Sequence, residues 1–171
     1  MKKILIALLM SVSSMAYADN VALRLGHHLN DDALSGGFDM TIHRQPHSLV
    51  SRLTVTDQSA AEFLAITRDI PIMAFPITPF LMIGGVLQHT KNLGAQPFLG
   101  AGFQYDTLNI SANLQPYEFI GNEPIWTSDL TAEYLYPLAP YYGLKWRYEW
   151  IDKWQTGDQI HDLSGGVYWQ F

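Results

Sequence analysis

The chain of 171 residues contains no cysteine. That excludes disulfides and thiolate metal sites, and also the lipid-bearing cysteine that anchors a lipoprotein. Basic residues are scarce, 10 against 16 acids, so no surface is prepared to hold the phosphates of a nucleic acid. Beyond the first eighteen residues no apolar run approaches the roughly 20 residues that a membrane-spanning helix needs. Low-complexity tracts are missing, and no composition break marks a second domain. What is left to read is alternation.

Lys2 and Lys3, the apolar run Ile4 to Met10, and Ala16-Tyr17-Ala18 before Asp19 have the form of a secretory signal with a small-x-small cleavage site. Its removal, residues 1–18, is expected to leave residues 19–171 as a single domain. Losing Lys2 and Lys3 takes 10 bases to 8 against 16 acids, a net charge of −8. A chain of that length matches the smallest membrane barrels.

The rest of the sequence repeats period-two segments of about ten residues, separated by Gly, Pro, Asn and Asp. In Tyr142, Leu144, Trp146, Tyr148 and Trp150 one face is apolar or aromatic, while Gly143, Lys145, Arg147 and Glu149 form the other. The same division separates Leu130, Ala132, Tyr134 and Tyr136 from Asp129, Thr131 and Glu133, and Leu99, Ala101, Phe103 and Tyr105 from Phe98, Gly100, Gly102 and Gln104. Ile110, Ala112 and Leu114 alternate with Asn109, Ser111 and Asn113, Phe38, Met40 and Ile42 with Asp39, Thr41 and His43, and Leu49, Ser51, Leu53 and Val55 with Arg52 and Thr54. Val21, Leu23 and Leu25 enclose Arg24. Segments 62–69 and 78–89 are apolar on both faces and are taken as strands from length and composition.

This predicts an all-β fold, a single antiparallel transmembrane barrel of about ten strands at 20–27, 34–44, 48–56, 60–69, 77–89, 96–106, 108–116, 126–136, 140–151 and 162–171. Eight strands is the alternative, with one weak hairpin read as a loop. Residues 44–47, 106–107 and 137–140 become short turns on the periplasmic side, with a longer one at 70–78 where Pro71, Pro76 and Pro79 gather. Segments 28–33, 90–95, 117–125 and 152–161 become the longer outer loops. A soluble periplasmic β-sandwich is the competing fold, but it needs neither the aromatic outer face nor an aromatic terminus.

The last strand, Leu163 to Phe171, ends on an aromatic residue, and with Val167, Trp169 and Phe171 it resembles the assembly signal of bacterial outer-membrane β-barrels. Three stretches extend the likeness: Gln96-Pro97-Phe98-Leu99-Gly100-Ala101-Gly102, Trp146-Arg147-Tyr148-Glu149-Trp150-Ile151-Asp152 and Gly165-Gly166-Val167-Tyr168-Trp169-Gln170-Phe171. Through them the chain resembles small outer-membrane barrels and, more loosely, the YfaZ-type porin family. The resemblance implies a cell outer-membrane location in a Gram-negative organism. It also implies outer-membrane lipid and lipopolysaccharide as surroundings, and the barrel assembly machinery as a partner. It carries over no catalytic residue.

Arg24, Asp39, His43, Arg52, Asp129, Glu133, Lys145, Arg147 and Glu149 all fall on the inferred lumen face with both signs interleaved. A turn centred on Leu138 and Ala139 sets Glu133 opposite or diagonal to Lys145, and brings Asp129 within reach of Arg147 and Glu149. Barrels this small are nearly filled by their side chains. Such a set is therefore either a solid ion-paired core or the lining of a narrow pore. Phe80, Met82, Phe98 and Tyr168, if they too point inward, favour the filled reading.

The outer loops hold His27, His28, Asp31 and Asp32, then His89, then Asp158, His161 and Asp162. Closure of the barrel would bring the first and last groups together at the rim, where imidazoles beside carboxylates could bind a divalent cation or activate water. Acidic polar loops are more often simply solvated, and no metal or cofactor is expected. A lipid-modifying enzyme would need a nucleophile beside a base; Ser164 near His161 and Ser35 near His28 are the candidates. The expected function is that of a small outer-membrane barrel, structural or narrowly porin-like, monomeric and without nucleic acid. An enzyme acting on envelope lipid and a binding protein that works through its loops are the alternatives.

Overall fold

The computed structural model describes residues 19–29, 33–56, 60–71, 76–89, 93–120, 123–154 and 156–171; the proposed signal segment lies outside them. Ten strands form one closed antiparallel barrel. They are β1 (Asn20–His28), β2 (Ala33–Arg44), β3 (His47–Thr56), β4 (Ala60–Asp69), β5 (Ile77–His89), β6 (Leu93–Tyr105), β7 (Leu108–Ile120), β8 (Glu123–Ala139), β9 (Tyr142–Lys153) and β10 (Gln159–Gln170). Each strand pairs with its sequence neighbours, and β1 completes the ring against β10 from Asn20↔Gln170 to His28↔Asp162. Closure leaves no strand at the edge of the sheet, which is what lets a sheet sit in lipid. The eight-stranded alternative is set aside.

Alternation assigns the faces as expected. Along β9, Tyr142, Trp146 and Tyr148 are exposed while Lys145 and Arg147 are buried. On the outer wall Leu25 is 78% exposed, Leu99 65% and Ile83 59%. A soluble protein rarely tolerates so extended an apolar surface, whereas a barrel in lipid requires one. The sandwich alternative fails on the same ground.

The strand ends depart from the expectation on one side. Strand reaches into segments 90–95, 117–125 and 152–161, expected to be loops: β6 begins at Leu93, β7 runs to Ile120, β8 begins at Glu123, β9 reaches Lys153 and β10 begins at Gln159. Proline explains part of the difference. Pro116 and Pro137 do not stop their strands, because the ladder takes them up in register shifts at Pro116/Glu118 and Pro137/Ala139. The expected turn at 137–140 therefore moves to Pro140 and Tyr141, and the longest connection lies at the opposite, turn end, between Asp69 and Ile77.

The two segments with no polar face line an apolar sector of the lumen. Ala65, Phe80, Met82 and Phe98 form a buried cluster, with Val50, Phe63 and Val86 packed on it. Space for the large side chains comes from glycines in register beside them: Phe80 opposes Gly102, Met82 opposes Gly100, and Phe98 opposes Gly84. A Cβ on Gly102 would lie 2.5 Å from Phe80 Cζ, and one on Gly84 would lie 2.7 Å from Phe98 Cζ. Tyr168 uses Gly143 in the same way.

Candidate functional site

The rest of the lumen is filled by charge. Asp39 on β2 receives Arg24 from β1 through two bonds, Nε to Oδ2 at 2.7 Å and Nη2 to Oδ1 at 2.8 Å, and Lys145 Nζ reaches its Oδ2 from β9 at 2.7 Å. Lys145 lies 3.2 Å from Glu133 Oε1 on β8, and Arg52 of β3 approaches that same oxygen to 3.2 Å. Arg147 stands 3.9 Å from it and gives its shortest contact, 2.7 Å, to Glu149. One connected network thus crosses the barrel. Lys145–Asp39 and Arg52–Glu133 join strands that are not neighbours in the sheet, so they span the lumen itself.

Burial fixes the energetic character of this layer. Arg24, Asp39, Glu133, Lys145 and Arg147 are all buried. An ion left alone in such a place is far costlier than an exposed pair is worth. Glu133 Oε1 is approached by three cations, yet none donates to it with hydrogen-bond geometry, so charge rather than alignment holds it.

The network meets the apolar sector at Arg52, whose guanidinium carbon lies 4.9 Å from the centre of the Phe63 ring. Phe63 in turn stacks on Phe98, with centroids 4.6 Å apart and planes 19° apart. Charge on one side and rings on the other thus occupy the middle of the barrel. Below the closure, toward the turn end, a cavity of about 180 Å³ remains.

The β8–β9 register gives the diagonal form of the expected Glu133–Lys145 relation. Glu133 faces Arg147 directly, and Lys145 faces Leu135, diagonal to Glu133. Asp129 pairs with Ile151 and accepts hydrogen bonds from Asn113 Nδ2 and Thr131 Oγ1, both at 3.1 Å. His43, grouped with these charges on the lumen face, stands near the exposed turn end, where its Nδ1 lies 2.9 Å from Ser48 Oγ.

The histidines and aspartates of the outer end are divided between faces. His161 points outward, its Nδ1 2.7 Å from Tyr148 Oη and its ring parallel to Trp150 at 6.4 Å, while Asp162 is buried in the lumen and accepts from Ser35 Oγ at 3.3 Å. His27 shares the outward set of β1 with Leu25. Asp31, Asp32 and the side chains of His28 and His89 lie outside the described residues. Among the described residues no three metal-ligating side chains converge.

Ser164 and His161 stand on opposite faces, three residues apart on one strand. Ser164 Oγ instead accepts from Arg24 Nη1 at 3.0 Å, so this pair does not make an activated nucleophile. The terminal residues Val167, Trp169 and Phe171 all face outward and are 37%, 37% and 75% exposed. Phe171 N donates to Asp19 O at 2.9 Å.

Closed antiparallel topology, an apolar outer wall and a lumen crossed by ion pairs define a membrane-type β-barrel. No family model matches the chain, and no curated protein matches it. Among solved structures it is similar to KdgM porin, with 13% identity over 89% of this chain and 99% of that one and a TM-score of 0.51. It is also similar to Neisserial surface protein A, with 10% identity over 89% and 94% and a TM-score of 0.40. The likeness to KdgM porin is one of fold.

Proposed function

We propose that this protein is a small barrel of the Gram-negative outer membrane, structural in the first place and porin-like only so far as its closed lumen layer can open. The single observation that carries this is the cross-lumen network, in which Lys145 and Arg52 join β9 to β2 and β3 to β8. Inert filling needs only apolar side chains; a charged layer set across the bore both ties opposite walls together and leaves a polar path wherever it parts. The fold shared with a porin supports this reading. So does the terminal aromatic strand, which we take as the recognition element for assembly. The apolar wall is suited to lipid and lipopolysaccharide, and kinship with the YfaZ-type porins rests on the sequence motifs alone.

Reconstitution in planar bilayers tests it. The native barrel should pass little or no steady current, and Arg147→Ala should raise single-channel current if the network gates the bore. A large open-state current from the native protein, unchanged by Arg147→Ala, would refute the closed-lumen reading.

A further inference from the structure

The cavity at the turn end is not consumed by the closure above it. At about 180 Å³ it has room for roughly six waters at 30 Å³ each, or for one small solute. Asp39, Glu133, Arg52 and Lys145 form its floor, and the exposed Asp106 stands at its mouth.

The charges around it do not balance. Asp39, Asp69, Asp106 and Glu133 give four negative charges against two positive ones from Arg52 and Lys145, leaving −2. Both floor cations are already engaged, Lys145 by Asp39 and Glu133 and Arg52 by Glu133. Asp69 and Asp106 have no ion-pair partner among the described residues.

A second observation points the same way. Tyr168 is 7% exposed and lines the cavity, yet its hydroxyl makes no hydrogen bond among the described residues. The hydroxyl is not sealed off: it opens onto the cavity, where a bound donor can reach it. Phe80 forms another wall of the same space.

We propose that this cavity binds a small organic cation carrying one or two primary ammonium groups. An ammonium offers three donors and no acceptor, which suits two unpaired carboxylates and a phenol oxygen, while its methylenes and charge suit the rings of Tyr168 and Phe80. A bare divalent ion would need several oxygen ligands at once, and no such group converges here among the described residues. An anion would find no unengaged cation. A neutral polyol would leave the excess charge uncompensated.

The probe is 1,4-diaminobutane, titrated into the protein folded in detergent micelles and followed through the NMR signal of the Tyr168 ring. A saturable shift is expected. It should weaken by roughly tenfold or more in Asp69→Asn/Asp106→Asn, the effect of losing a charge-assisted contact. Asparagine is chosen because Asp106 has φ of 50°, a conformation it tolerates. Tyr168→Phe, followed through the Phe80 ring, should weaken binding with the barrel's circular dichroism unchanged, and glucose and succinate should give no saturable shift. An absent shift, an affinity unchanged in either variant, or stronger saturation by glucose or succinate would overturn the proposal. A large steady current through the native barrel in planar bilayers would count against the closed-lumen reading alone, because this binding needs neither conduction nor a membrane.

Discussion

Arg147 stands directly across the β8–β9 ladder from Glu133, yet its nearest carboxylate is Glu149 on its own strand, at 2.7 Å against 3.9 Å. One guanidinium therefore serves two acids. Glu133 retains Lys145 and Arg52 without it, whereas Glu149 has no other ion pair among the described residues. Arg147→Met should destabilise the barrel by about 3–5 kcal/mol, the cost of breaking a buried pair. Combining it with Glu149→Gln should cost less than the sum of the two changes, because they share one interaction. Urea unfolding from detergent or vesicles measures both; additive losses would mean that the pair is not coupled.

The glycines beside the lumen rings should not accept even a methyl group. At Gly84 a Cβ would meet Phe98 Cζ at 2.7 Å and press on the carbonyl oxygen of Leu64, and the backbone contact cannot rotate away. Gly84→Ala should therefore cost about 1–3 kcal/mol by overpacking. Gly36→Ala, where nothing lies within 4 Å, should be nearly neutral. Equal thermal midpoints for the two variants would contradict the packing described for β5 and β6.

Trp146 and Arg147 are adjacent but face lipid and lumen. Lysine at Trp146 should cost about 2–4 kcal/mol if that position lies near the bilayer midplane, and less near an interface. Arg147→Lys keeps a charge in the lumen and should be tolerated better. Unfolding from vesicles compares the two, and equal losses would overturn the face assignment.

Deleting Phe171 should leave the exported chain unassembled if the terminal aromatic strand is the recognition element. Heat-modifiable migration on gels reads the outcome. A deleted protein that still folds into the outer membrane would show that Trp169 and Val167, or some other feature, suffices.

Where the lumen is polar, the fold can be read in the sequence, because lipid and lumen then impose opposite chemistry on alternate residues, as along Tyr142 to Trp150. Along β4 and β5 length and composition place both strands at their observed bounds, but alternation cannot assign their faces, because Phe63, Ala65, Phe80 and Met82 fill the bore with apolar atoms and both faces look alike. Strand ends were obscured by Pro116 and Pro137, which read as breakers but sit at register shifts. The charged set was legible residue by residue, but its wiring was not. Lys145–Asp39 and Arg52–Glu133 cross the lumen between non-adjacent strands, a relation that depends on closure and strand tilt rather than on local pairing. The glycines opposite Phe80, Met82 and Phe98 were the available signal for the apolar sector, since each large inward side chain has a glycine across the ladder.

The most direct test of the closed lumen is steady current through single barrels in planar bilayers, comparing the native protein with Arg147→Ala/Phe98→Ala, which thins the charged and the apolar parts of the closure together. The native barrel should stay silent or nearly so, and the folded double variant should conduct steadily. A native barrel that already conducts as well as the double variant would contradict the account.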